Sequence, residues 1–271
     1  MIWFGVLGLG LAALCAAVAG IRGLMIPPEG DLSKAITFDF AIGLFWLTLA
    51  FIIPFARFSA AGLRRWIFVI IPLGLYAYAV ETVQILRGID PRFTRTGDPV
   101  DSILGAVFGG VAMAIIIMVT ILAVKLARRG TDGPDGLMLL ALRYAMLATM
   151  IGFAAGIWMS VNQGRYAGAA GNILPLHAAG FHALQAVPLL AWLFMHSTVR
   201  GSEARRWVRT GGIAWIVACL ALAWQTATGG AVTDLSPATV LAIVAWLVWL
   251  ISALRALLGW NSARTAMAAA T

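Results

Sequence analysis

The sequence predicts an all-α, polytopic membrane bundle of eight transmembrane helices, and three observations carry that reading. Of 271 residues, 62% are hydrophobic and only 11% charged, with a mean hydropathy of +0.94. Soluble domains hold about 45–50% apolar and about 25% charged residues, so the surplus apolar surface must face lipid. Eight stretches reach the roughly 20 apolar residues that a helix needs to cross hydrocarbon. Turn or charge signals bound them, such as Pro27-Pro28-Glu29-Gly30, Gly97-Asp98-Pro99 and Gly133-Pro134-Asp135-Gly136. Soluble enzymes, disordered chains and disulfide scaffolds are thereby excluded.

The spans follow in order, and the cations between them set the orientation. Ile2–Ile21 leads to a loop with Arg22 and Lys34, and Ala35–Phe55 to one with Arg57, Arg64 and Arg65. Trp66–Leu86 is followed by Arg87, Arg92 and Arg95, and Ile103–Leu126 ends at Lys125, Arg128 and Arg129. Leu137–Met159 leads to Arg165, and Ile173–Met195 to Arg200, Arg205, Arg206 and Arg209. Val208–Thr228 and Ala238–Leu258 complete the set, with Arg255 and Arg264 at the end. Counting Arg143, thirteen cations fall on one side and six on the other. Both termini are therefore expected in the cytoplasm. Ala17-Val18-Ala19 has the form of a signal-peptidase site, but no Lys or Arg precedes Trp3, which argues against cleavage.

No loop is long enough for a separate soluble domain, so residues 1–271 read as a single transmembrane domain. An even number of helices permits two four-helix halves, but no sequence repeat stands out. The net charge of +8 reflects the cytoplasmic loops; no basic run with interleaved aromatics points to nucleic acid. Cys15 and Cys219 lie inside apolar helices and read as packing residues. Tryptophans at span ends read as an interfacial belt. Gly105-xxx-Gly109 and Gly152-xxx-Gly156 read as close helix contacts.

Ionisable groups within spans are costly and mark pathways, sites or buried pairs. Asp39, Glu81, His177 and His182 stand out. The expected topology puts Glu81 about 10 Å below the outer surface, between His177 at about 6 Å and His182 at about 13 Å. Asp39 enters just below the same surface. Gln84 and Gln185 lie one turn from Glu81 and His182 and share their faces; Arg87 and Arg92 join from the outer loop. Together these eight residues predict a polar cavity open to the periplasm. Each has a structural alternative: Glu81 paired with Arg87 or Arg92, Asp39 bracing its helix near Thr37, His177 at the interface, and His182 in a hydrogen bond. Arg143 reads as a snorkelling or helix-bridging cation on the cytoplasmic side.

A metal site would combine His177, His182 and Glu81. The two histidines are five residues apart, about 140° around a helix, and no His-Glu-x-x-His is present. Haem would need a second ligand from another helix or subunit, because all three histidines fall in the sixth span. There is no nucleotide-binding glycine pattern, and no Lys in the last span for retinal.

The run His177-Ala-Ala-Gly-Phe-His182-Ala-Leu-Gln185-Ala-Val-Pro188 resembles a His-x-x-Gly-x-His-x-x-Gln-x-x-Pro helix. That pattern belongs to an uncharacterised family of bacterial multispanning inner-membrane proteins, where it follows a Glu-Thr segment and an Arg-Gly turn, like Glu81-Thr82 and Arg87-Gly88. The resemblance implies a placement and no activity. Glu81-x-x-Gln84, Arg92, Asp98, Asp101, Gly105 and Gly109 are fainter in their similarity to VanZ-like membrane proteins; an expected asparagine is missing.

Three functions fit. The first is a protein that binds or transports a small polar or ionic ligand through a periplasm-facing cavity, with proton coupling as one form. The second is an intramembrane enzyme at the outer leaflet, metal- or haem-dependent or acting on a lipid- or quinone-like substrate. The third is an assembly or scaffold subunit, as a homo-oligomer or in a membrane complex.

Overall fold

The computed structural model describes residues 1–268, and it is all-α apart from four two-residue strands. Among the described residues, eight helices are long and apolar enough to cross a membrane: α1 (Ile2–Arg22), α2 (Leu32–Ile52), α3 (Ala60–Leu86), α4 (Pro99–Ala127), α5 (Gly136–Val161), α6 (Ile173–Met195), α7 (Gly201–Ala227) and α8 (Pro237–Ala268). All eight expected spans are present. Most are longer than the apolar stretches, because capped polar turns extend them: Ser59 accepts from Gly62 N at the start of α3, and Asp31 from Ser33 N at the start of α2. Large apolar side chains such as Phe68, Ile103, Ile117 and Leu254 remain exposed, as lipid-facing positions require.

The chain divides into two compact units, Met1–Leu122 and Ala123–Thr271. In the first, β1 (Met25–Ile26) and β2 (Gly30–Asp31) form an antiparallel hairpin between α1 and α2. α1 approaches α2 closely at Gly5, Gly8 and Gly43. Phe4, Trp46 and Tyr78 cluster beside that contact. α3 is tied to α4 by Tyr76 and Trp66, which donate to the carbonyls of Leu104 (2.8 Å) and Met118 (2.9 Å).

In the second unit, β3 (Tyr166–Ala167) and β4 (Gly171–Asn172) make the same kind of hairpin between α5 and α6. Gly152 on α5 lies against Gly180 on α6 so tightly that a Cβ at Gly180 would stand 2.5 Å from the Gly152 Cα. Trp215 of α7 donates to the Ala179 carbonyl at 2.9 Å. Arg143 bonds the carbonyls of Leu126 and Arg129, the helix-bridging one of its two expected roles.

The two units repeat one design in register: residue n of the first answers to residue n + 141 of the second, as 30 does to 171 and 88 to 229. Leu32 N donates to Leu24 O, and Ile173 N to Arg165 O, both at 2.8 Å. Asp31 and Asn172 are the equivalent N-caps of α2 and α6. The amides of Glu29 and Ala170 reach the carbonyls of Gly88 and Gly229, each glycine having positive φ. A Cβ at either Gly30 or Gly171 would lie 2.5 Å from a carbonyl oxygen, of Ile85 and Thr226 respectively, so both positions require glycine. Gln84 and Gln225 hold the entry to the next helix: Gln84 donates to Asp101 on α4, and Gln225 accepts from Ser236 just before α8.

Candidate functional site

Asp39, Glu81, Gln84, Arg87 and Arg92 belong to the first unit, at its hairpin end. Asp39, Glu81, Gln84 and Asp101 are all nearly inaccessible to solvent. Glu81 Oε1 accepts from Arg92 Nη2 at 2.8 Å, so the ion-pair alternative holds for Arg92. Arg92 is fixed from several directions. Its guanidinium lies 5.6 Å from the Phe38 ring centre and 5.7 Å from that of Phe108, and its amide donates to Asp90. Gly105 lets α4 pass close to the Arg92 carbonyl; a Cβ there would be 2.9 Å away.

Asp39 does not brace its own helix near Thr37, which bonds to the Ser33 carbonyl instead. Its Oδ2 accepts from Thr82 Oγ1 on α3 at 2.9 Å. Asp39 Oδ1 and Glu81 Oε2 are buried with no hydrogen-bond partner. Gln84 Nε2 and Arg87 Nη1 both donate to Asp101 Oδ1, at 2.8 and 2.6 Å. Of the residues in the Glu–Gln–Arg–Asp–Gly order, Gln84 meets Asp101, Glu81 meets Arg92, and Gly105 lies against Arg92.

Thr82, Asp90, Asp101 and Lys34 join the cluster without having stood among the eight candidates. Asp101 was visible only through its place in that order, and Thr82 through the Glu-Thr step. Lys34 Nζ reaches Asp90 Oδ2 at 2.9 Å. Glu29 gathers donors from Thr94 Oγ1 and Arg95 N, which folds the loop after α3 onto the hairpin. The Thr94 hydroxyl is the main cause holding the Glu29 carboxyl below its usual range.

Burial pushes Asp90 up, but the Lys34 ammonium and the amides of Arg92 and Phe93 outweigh it and hold the carboxyl below the ordinary value. A carboxylate depressed on folding stabilises fully above its unfolded pKa, about 3.9. That contribution is lost as pH falls through the lower, folded value. Asp90→Asn is therefore expected to flatten the acid limb of thermal stability, leaving the profile at higher pH parallel to wild type. An unchanged acid limb would show that the Lys34–Asp90 contact is not coupled to folding.

His177, His182 and Gln185 belong to the second unit. His177 Nδ1 bonds to the Gly152 carbonyl at 2.8 Å, and its ring sits edge-on to Phe181. His182 lies on the exposed side of α6, and Gln185 is half-buried. The two histidines thus point to different faces, as their spacing of five requires. Among the described residues, no group of three or more His, Cys, Asp or Glu is placed to hold a metal ion. Both cysteines are fully buried.

No family model, no curated protein and no solved structure matches this chain.

Proposed function

We propose that this multi-pass membrane protein binds and exchanges a proton or small cation at Asp39 and Glu81, as the ligand site of a transport or ligand-binding protein of a bacterial inner membrane. One observation carries the reading. The fold is built twice in this chain, and two of its polar supports occur in both copies: the Asp31/Asn172 caps and the Gln84/Gln225 braces. The two acids do not. The positions answering to Asp39 and Glu81 are Gly180 and Leu222. The second unit closes the same design with no carboxylate at either place, and with Ala223 and Thr233 where their partners Thr82 and Arg92 stand, so the shared design is met without this set.

Keeping them is expensive. A buried polar atom left unpaired costs about 1–3 kcal/mol, and more if charged. Asp39 Oδ1 and Glu81 Oε2 both stand in that condition, on neighbouring helices. A proton or a small cation is the ligand that satisfies such oxygens, and intramembrane acids serve this purpose in proton and ion relays. The cation asymmetry of the loops supports a periplasmic position for this end of the first unit.

Infrared difference spectra of the purified protein on a pH jump, with and without sodium or potassium, test the reading. A carboxyl band that titrates in wild type, shifts with the bound cation, and disappears in Asp39→Asn and Glu81→Gln is expected. Asp39→Asn should fold at least as stably as wild type, since it removes an orphaned oxygen's charge, and Glu81→Gln should remain folded, since its amide oxygen still accepts from the partly exposed Arg92. A band that persists in both variants, or variants that unfold, would overturn the assignment.

A further inference from the structure

At the end of the second unit remote from its hairpin, the start of α5, the end of α6 and the start of α7 enclose a groove of about 290 Å3. Leu137, Phe194, Val199 and Ala204 supply apolar lining, and Arg200 and Arg205 supply charged lining. Arg205 also donates to the Thr131 carbonyl, which fixes the loop before α5. Arg200 is exposed, with one bond, to the Met195 carbonyl (3.0 Å). A guanidinium carries five donors, so most of those on Arg200 remain for another acceptor.

The surrounding charge is predominantly positive. Lys125, Arg128, Arg129, Arg143, Arg206, Arg209, Arg255 and Arg264 lie at or near this same end of the unit, against Asp132, Asp135 and Glu203. Glu203 is already engaged by Arg255 at 3.0 Å. A groove at the end of three membrane-spanning helices, lined by apolar side chains and by arginines, matches a molecule with a hydrocarbon tail and an anionic head. Basic pockets between helices at the membrane surface recognise lipid head groups in this way.

We infer that this groove binds an anionic phospholipid, its acyl chain against Leu137, Phe194 and Val199 and its phosphodiester at Arg200 and Arg205. The site is independent of the acid cluster in the first unit. Arg200 supplies the free charge, and Arg205 both contacts the head group and holds the groove's wall.

The test uses the purified full-length protein in a neutral detergent, titrated with phosphatidylglycerol, with phosphatidylcholine of the same acyl chains, and with inorganic phosphate. Binding is read by native mass spectrometry and by thermal shift. Phosphatidylglycerol should bind and raise the melting temperature, with little effect from the other two. Arg200→Glu should weaken phosphatidylglycerol binding about tenfold or more. Arg209→Glu, the same charge change on an exposed α7 arginine outside the groove, should weaken it much less. Arg200→Gln should fall between wild type and Arg200→Glu, and serves if the latter fails to fold. Equal binding of the two lipids, an equal shift with inorganic phosphate, or equal losses in Arg200→Glu and Arg209→Glu would each overturn the proposal.

Discussion

Truncation of Arg92 to Ala is expected to destabilise the protein by about 3 kcal/mol, near the lower end of what breaking a buried ion pair costs. The reason is the partner left behind. Glu81 is fully buried, one of its oxygens already lacks a partner, and the other depends on Arg92. Arg92 itself is one-third exposed, so water can follow into part of the space, and the cost stays below the upper values for a sealed interior. Loss of its contacts to Phe38 and Phe108 adds to the effect. Adding Glu81→Gln should recover most of the loss, because a neutral amide needs no counter-charge. Denaturant or thermal unfolding of the two single variants and the double variant measures the coupling. Exposed Arg95, three residues along the same loop, is the control. If Arg95→Ala costs as much as Arg92→Ala, or if Glu81→Gln rescues nothing, the pair is not what holds this cluster together.

Leu at Gly180 should be at least as damaging, at about 3 kcal/mol or more, since overpacking a tight contact costs about 1–3 kcal/mol and exceeds that when backbone is the obstacle. The atoms that a Gly180 Cβ would meet are the Gly152 Cα at 2.5 Å, the Gly152 N and the Ala148 carbonyl. None is the end of a flexible side chain, so α5 and α6 must separate. Separation pulls His177 from the Gly152 carbonyl and Phe181 from Phe153, whose ring centres are 5.0 Å apart. Gly109→Leu is the matched comparison, because open space surrounds that position. Melting temperatures of the two variants decide the matter. Equal tolerance would mean that the α5–α6 contact can yield.

These glycines show what a motif conveys and what it omits. Gly105-xxx-Gly109 and Gly152-xxx-Gly156 are the same pattern on paper. In the fold, Gly152 meets α6 and Gly156 meets the His177 ring, whereas Gly105 meets the backbone of a loop and Gly109 meets nothing. Spacing shows that two small residues share a face; only the neighbour decides whether the face is used. The buried acids follow the same rule. That Asp39 and Glu81 were costly was plain from their place in apolar runs, and pairing of Glu81 with a nearby arginine was one of two readings. Which arginine depended on how the loop after α3 folds, and that Thr82 rather than Thr37 serves Asp39 depended on how α3 packs against α2.

The internal repeat escaped sequence reading for a physical reason. Hydrocarbon accepts almost any apolar residue at a lipid-facing position, so two copies of a membrane fold can share little sequence. Identity survives where geometry leaves no choice, as at Gly30 and Gly171, Gly88 and Gly229, and Gln84 and Gln225. These are too few and too scattered to form a pattern.

The sequence by itself determined the solvent: an excess of apolar residues grouped in lengths of about 20 requires eight helices in lipid, because a helix satisfies its backbone hydrogen bonds within itself. The tertiary structure decided the partners. Hydrogen bonds and ion pairs between helices join residues tens of positions apart, such as Thr82 with Asp39 and Arg255 with Glu203. Their energies depend on distance and burial, which hydropathy along a chain does not encode.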